Sequence, residues 1–265
     1  MRVQSPQLRQ NPVTLEIVYL CLFAFLAGLI DSVVGGGGLI QLPALFVFLP
    51  TVPIPTIFGT GKLSSIAGTS VSMWRYARNV EINWRALLPA AFAAFVFSFL
   101  GARAVSHFDA ALLRPLILVL LVSVAVYTFF RKDFGAIHAP KLAQAKEIWN
   151  GIGVGLVIGF YDGFFGPGTG SFLMFIFVGV FGFNFLAASA SAKVVNVATN
   201  LSALLYFGYK GYILYHIGIP MAISSVLGSM VGTRIALAKG SGFVRKLFLV
   251  VVTGIILKFA YDTFF

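Results

Sequence analysis

Apolar runs divide the chain into ten segments that come in the same order twice. A helix that crosses a bilayer needs roughly 20 apolar residues. Residues 13–34 reach that length and stop at a run of glycines, whereas 39–49 has about half of it and is closed by Pro50, Pro53 and Pro55. Each proline removes a backbone donor and disfavours helix in the residue before it. Segments 56–76, 84–105 and 112–130 follow, and then residues 131–147 form the one long polar stretch. Beyond it the order returns: 148–165, a short 171–183, then 187–207, 215–238 and 244–264. Each half therefore predicts five helical segments, the second of them either a tilted short span or a re-entrant half-helix.

Composition changes the picture from "helical" to "membrane". A chain that is 59% hydrophobic and 10% charged, with 28 Phe and a mean hydropathy of +0.95, cannot cover a water-facing surface. The fold class expected is all-α, a polytopic membrane protein. Cys21 is the single cysteine, which excludes an intrachain disulfide, CxxC redox chemistry and a cysteine zinc site.

The two halves also match in detail. DSVVGGGG at 31–38 is echoed 131 residues later by DGFFGPGT at 162–169, and Gly28, Lys62, Pro89, Gly101, Arg103 and Arg114 meet Gly159, Lys193, Pro220, Gly232, Arg234 and Arg245 at the same offset. Four charged pairs under one shift, in a chain so poor in charge, indicate an internal duplication: repeats 1–134 and 135–265 within one transmembrane unit. Eleven Lys or Arg cluster in 75–85, 131–147 and 234–246. If all ten segments cross with the amino terminus outside, these three become cytoplasmic loops, as the positive-inside rule requires, and the repeats are inverted. Re-entrant short segments would instead give four crossings per half and parallel repeats. That version leaves 234–246 outside, so the charges favour the inverted one. The net charge of +11 then reports topology, with no nucleic-acid partner implied.

Candidate chemistry lies in the charges that interrupt apolar segments. Asp31 and Asp162 are costly there unless paired or facing a cavity, which makes them candidates for binding a coupling proton or sodium ion; the competing role is to cap the helices that follow. Lys62 and Lys193 head polar stripes: Lys62, Ser65 and Thr69, and again Lys193, Asn196 and Asn200, recur at i, i+3 and i+7 on a helical face. Lysines at such a place would neutralise an anion or pair with the aspartates, and the hydroxyls and amides would hydrogen-bond it. Gly35, Gly36, Gly37 and Gly38, and then Gly166 and Gly168, precede the short helices and would offer backbone N–H groups at the positive ends of helix dipoles. Gly151, Gly155 and Gly159, four apart, read as a packing face. FGTGKLS at 58–64 only resembles a phosphate loop, since Leu63 stands where a magnesium-binding hydroxyl belongs and no strand precedes it. His107, His138 and His216 are scattered, so neither an enzyme nor a metal site is expected, and no cofactor.

AGLIDSVVGGGGLIQLPAL at 27–45, GTGKLSSIAGTSVSMWRYARNVEI at 59–82 and the degenerate second copy resemble the sulfite exporter TauE/SafE family over nearly the whole chain. Gly61 stands where many members carry Asn. The resemblance implies a bacterial inner-membrane, multi-pass transporter that moves sulfite, an organosulfonate or a related small sulfur anion, usually outward. It places the glycine motif and Lys62 at the substrate, between repeats near the midplane. The partners expected are the small anion, the lipid bilayer, a proton or sodium ion and, in some assemblies, a second copy of the chain. The alternative is an anion channel, or a subunit of a transport complex without coupling of its own.

Overall fold

The computed structural model describes residues 12–105, 139 and 142–264. The predicted segment 112–130, with Arg114, His107 and His138, lies outside the described residues, as does most of the polar stretch. The described residues form helices joined by short turns, with no strand among them. They are α1 (Pro12–Val34), α2 (Gly38–Phe48), α3 (Ile54–Asn79), α4 (Trp84–Ala104), α5 (Gln144–Phe164), α6 (Thr169–Gly179), α7 (Phe185–Tyr209) and α8 (Tyr215–Phe264).

Local chemistry sets the helix ends. Gly35 and Gly166 follow α1 and α5 with φ of +76° and +88°, a left-handed conformation that glycine adopts without strain. Pro53 caps α3 and Pro55 enters its first turn, where a missing N–H is harmless. The Asn184 side chain accepts from Ala187 N–H at 2.8 Å and starts α7. The stretch 234–246, expected as a loop, is instead helical apart from one break at Gly240 (φ +70°, ψ −172°). Its basic residues punctuate α8 at that break, because a single left-handed glycine suffices to redirect the chain.

Among the described residues, three helices are long and apolar enough to cross a membrane: Leu15–Val34, Trp84–Ala104 and Tyr215–Val251. Each exposes an apolar stripe, with Leu15, Val18, Leu22 and Leu26 on α1, Leu88, Phe92, Val96 and Phe99 on α4, and Ile219, Ile223, Leu227 and Val231 on α8. Such stripes at helical spacing suit lipid tails. Helices α3, α5 and α7 are comparable in length but carry Lys62, Asp162 and Lys193 in turn.

Long helices from the two halves pack on each other. On one flank α1 meets α8, with Gly28 against the Ser225 carbonyl, Gly228 against Phe25 and Gly232 against Leu29. On the other, α4 meets α5, where Gly151 and Gly155 lie on Ala90, Gly159 on Ala94 and Gly163 on Ser98. At all of these positions but Gly151, where it would only be tight, a Cβ would collide, so the glycines let the backbones approach. Each short helix folds back along the long one before it: the Phe48 ring stacks on Tyr19 at 5.6 Å, and Phe172 meets Tyr161 at 5.7 Å. The hairpin tips touch in the interior, where Ser171 donates from its N–H to the Gly35 carbonyl at 2.9 Å and from its hydroxyl to the Val34 carbonyl at 3.0 Å.

Candidate functional site

The two glycine turns bring Asp31 and Asp162 to the centre, each four residues before a left-handed glycine and so in the last turn of its helix. Lysines from α3 and α7 reach them crosswise. Lys62 Nζ lies 2.7 Å from Asp162 Oδ2, and Lys193 Nζ lies 2.8 Å from Asp31 Oδ2. Each lysine thus meets an aspartate of the other half of the chain. Thr69 donates its hydroxyl to Asp31 Oδ2 at 3.2 Å, and Lys193 also donates to the Asp31 backbone carbonyl. Neither aspartate caps the next helix, for α2 and α6 start without a side-chain cap. With an ammonium within reach in an apolar interior, a carboxylate is better stabilised by that charge than by a neutral N–H.

The two lysines differ in access, and the aspartates differ the other way, with the Asp31 side chain 19% exposed and that of Asp162 5%. The Lys193 side chain is fully buried, whereas that of Lys62 is 11% exposed. Lys62 faces a cavity of about 50 Å³ that Asp31, Ser65, Thr69, Asp162, Asn196 and Asn200 also line. A water needs about 10–15 Å³, so this space takes a few waters or one small oxyanion. Gly35, Gly38, Gly166, Gly168, Thr169 and Gly170 supply backbone to its wall, and Phe58 and Phe165, edge to face at 6.2 Å, supply apolar surface. Of the residues singled out from sequence, Lys193, Gly36 and Gly37 do not line the cavity. Gly61 does line it. Gln41 is the residue sequence reading missed: buried in α2, it donates from Nε2 to the Gly61 carbonyl at 3.3 Å and accepts from the Ser65 hydroxyl at 3.5 Å. A lone amide in an otherwise apolar helix was the signal available.

Chemically this is a small, donor-rich chamber whose fixed charges cancel. Ser65, Thr69, the two asparagines and Lys62 offer hydrogen bonds to an oxyanion. Asn196 Oδ1 is buried without a hydrogen-bond partner, so the chamber has acceptor capacity as well. The turn at 166–168 is held by the Tyr161 hydroxyl, which donates to the Pro167 carbonyl. FGTGKLS lies wholly within helix α3, which removes the phosphate-loop geometry and leaves Lys62 as a helical side chain.

The family described as "Sulfite exporter TauE/SafE" matches residues 20–259. Among curated relatives, "Probable membrane transporter protein ORF9" of a Sinorhizobium species is 32% identical and covers 93% of both chains. "Probable membrane transporter protein" of Haemophilus influenzae is 31% identical, covering 94% of this chain and 96% of the relative. "Probable membrane transporter protein YfcA" of Escherichia coli is 30% identical over 96% of this chain and 92% of its own. No solved structure matches the chain. With the apolar helices, the charge-balanced chamber at two helix breaks and a match over nearly its full length, the chain belongs to the TauE/SafE sulfite exporter family of membrane transporters.

Proposed function

We propose that the protein is a secondary transporter that exports a small sulfur-containing anion, such as sulfite or an organosulfonate, through the central cavity. The observation that carries this reading is the crossed pair of ion pairs, one of which, Lys62–Asp162, opens on the cavity. A buried ion pair contributes little net stability compared with apolar packing, so its presence at the centre is better explained by a ligand than by the fold. Lys62 neutralises the anion, Ser65, Thr69, Asn196 and Asn200 hydrogen-bond it, and the N-terminal turns of α2 and α6 add favourable dipole ends. Lys193 acts indirectly, by holding Asp31.

We read the architecture as inverted repeats in the inner membrane. Several contacts support it. Leu20 near the start of α1 packs with Ile57, Ile217 and Met221, at the starts of α3 and α8. Arg75 near the end of α3 donates to the Met230 carbonyl, towards the α8 break, and Asn83 before α4 donates to Glu147 at the start of α5. The α1–α2 hairpin thus enters from the side where α3 begins, and the α5–α6 hairpin from the side where α3 ends. Because each hairpin returns to the side it came from, re-entry agrees with inversion; the link from re-entry to parallel repeats assumed that α1 crosses alone.

The test is flux into proteoliposomes over sulfite, sulfonates, sulfate and carboxylates. Saturable flux of the sulfur anions, abolished in Lys62→Met, is expected. Conduction that does not saturate would favour a channel, and selectivity for carboxylates would refute the substrate class.

A further inference from the structure

The two ion pairs are related by sequence register but are not equivalent. Lys193 is closed off: fully buried, absent from the cavity wall, and bound to both the carboxylate and the backbone carbonyl of Asp31, which Thr69 also holds. Lys62 and Asp162 both line the cavity, and each has the other as its one ion-pair partner among the described residues. Among the described residues, an anion entering this space finds one ammonium it can approach, and that ammonium already holds a carboxylate. Resting on the transporter reading above, we infer that Asp162 is the proton site of an electroneutral symport in which the anion and the Asp162 carboxylate compete for Lys62.

Charge balance gives the reason. The empty chamber holds two lysines and two aspartates and is neutral. When a monoanion takes Lys62, the released Asp162 carboxylate binds one proton from the water on the open side, and the chamber is neutral again. With the anion alone it carries one surplus negative charge, and with the proton alone one surplus positive charge. Either must be carried uncompensated through the occluded state in an apolar interior, which is strongly disfavoured. Only the empty and doubly loaded forms cross readily, so anion and proton move together, one for one, and both are released on the far side.

Among the described residues, the surroundings of Asp162 contain no other group to take over this exchange. From α3 it faces Lys62, and from α7 the neutral amides of Asn196 and Asn200. From α6 it faces the backbone of the 166–170 turn and Thr169. Its neighbour Tyr161 donates its hydroxyl to Pro167, and α4 presents Ser98 and Gly101 to this turn of α5, with Arg85 and Arg103 at its own two ends. Across the cavity Asp31 is compensated by Lys193. A consequence is that an inward proton gradient opposes export, so net efflux proceeds when the internal anion excess outweighs that gradient. The carrier then relieves accumulation of the anion.

The experiment uses the full-length protein in liposomes with an entrapped pH dye and methanesulfonate as the probe, because this anion holds no proton to bring along. Inward flux should acidify the lumen by one proton per anion and should not respond to a clamped membrane potential. Asp162→Asn should still support exchange of external for internal methanesulfonate, while net influx falls about a hundredfold because the empty chamber now carries a surplus charge. Methanesulfonate flux that follows voltage without proton movement overturns the inference, as does a requirement for sodium in place of protons. Wild-type stoichiometry decides the matter even if the variant does not fold. Absence of flux for every sulfur anion would sink the transporter reading and this inference together, whereas uncoupled flux sinks only the inference.

Discussion

Lys193 and Lys62 occupy matching positions in sequence, yet the loss of each should read out differently. Removing the Lys193 charge leaves a fully buried position empty, takes a donor from the Asp31 carbonyl, and leaves the Asp31 carboxylate on the cavity wall with Thr69 as its remaining hydrogen-bond donor among the described residues. Breaking one partner of a buried pair costs about 3–5 kcal/mol, so Lys193→Met should lower the melting temperature in detergent and reduce the folded yield. Removing Asp31 as well, in Asp31→Asn with Lys193→Met, should recover much of that loss, since no uncompensated charge then remains. A double variant no more stable than the single would refute the locking role. Lys62, by contrast, borders the cavity with its head group, where water can fill the space that Lys62→Met vacates, so that variant should stay folded and lose transport. Thermal unfolding measured beside flux separates the two lysines.

Helix pairs here are set by glycines more than by matching apolar ridges. At Gly163 a Cβ would collide with the Ser98 carbonyl of α4, a backbone atom that no rotamer can move aside. Gly163→Ala should therefore push α5 from α4 beside Asp162 and destabilise the fold, by an amount typical of overpacking, about 1–3 kcal/mol. Gly153, ten residues earlier on the same helix, is exposed and has nothing within 4 Å of where its Cβ would stand. Gly153→Ala should be neutral, or stabilising by about 0.5–1 kcal/mol through helix propensity. Comparing the two by thermal unfolding isolates close approach from propensity, and equal effects would refute the packing argument. The four-residue spacing of Gly151, Gly155 and Gly159 was legible as a packing face, but its partner α4 was not, because a small-residue stripe does not name the helix it will meet.

In the assembled molecule the first half cannot complete the chamber without the second. Helices α1 and α5 each find their long neighbour in the other half, and each lysine finds its aspartate there. The inverted arrangement places Asn79 and Gly242 on one side of the membrane and Thr51 and Lys210 on the other, all four being exposed. After replacing Cys21, single cysteines at these positions should split in whole cells: Thr51→Cys and Lys210→Cys labelled by a membrane-impermeant maleimide, Asn79→Cys and Gly242→Cys protected. The positive-inside rule predicts the cytoplasm for Asn79 and Gly242, from the basic residues near them. Labelling that separates Asn79 from Gly242 would overturn the inverted arrangement.

Length and order of the helices, the glycine turns and the cluster of polar candidates follow from local rules that are written along the chain: apolar run length, proline and glycine conformations, and the expense of charge in hydrocarbon. A register of 131 residues even aligned Asp31 with Asp162 and Lys62 with Lys193. Crossed pairing was beyond that reading, because a periodicity states which residues are alike and says nothing of which will touch. The same limit hid the role of Gln41, whose hydrogen bonds run to Gly61 and Ser65 on another helix, and it left Asp31 and Asp162 poised between capping and pairing. Only packing placed Lys193 out of reach of the cavity and Lys62 on its wall, since burial depends on how α3 and α7 lie against the two hairpin tips, and that is settled by contacts between segments far apart in sequence.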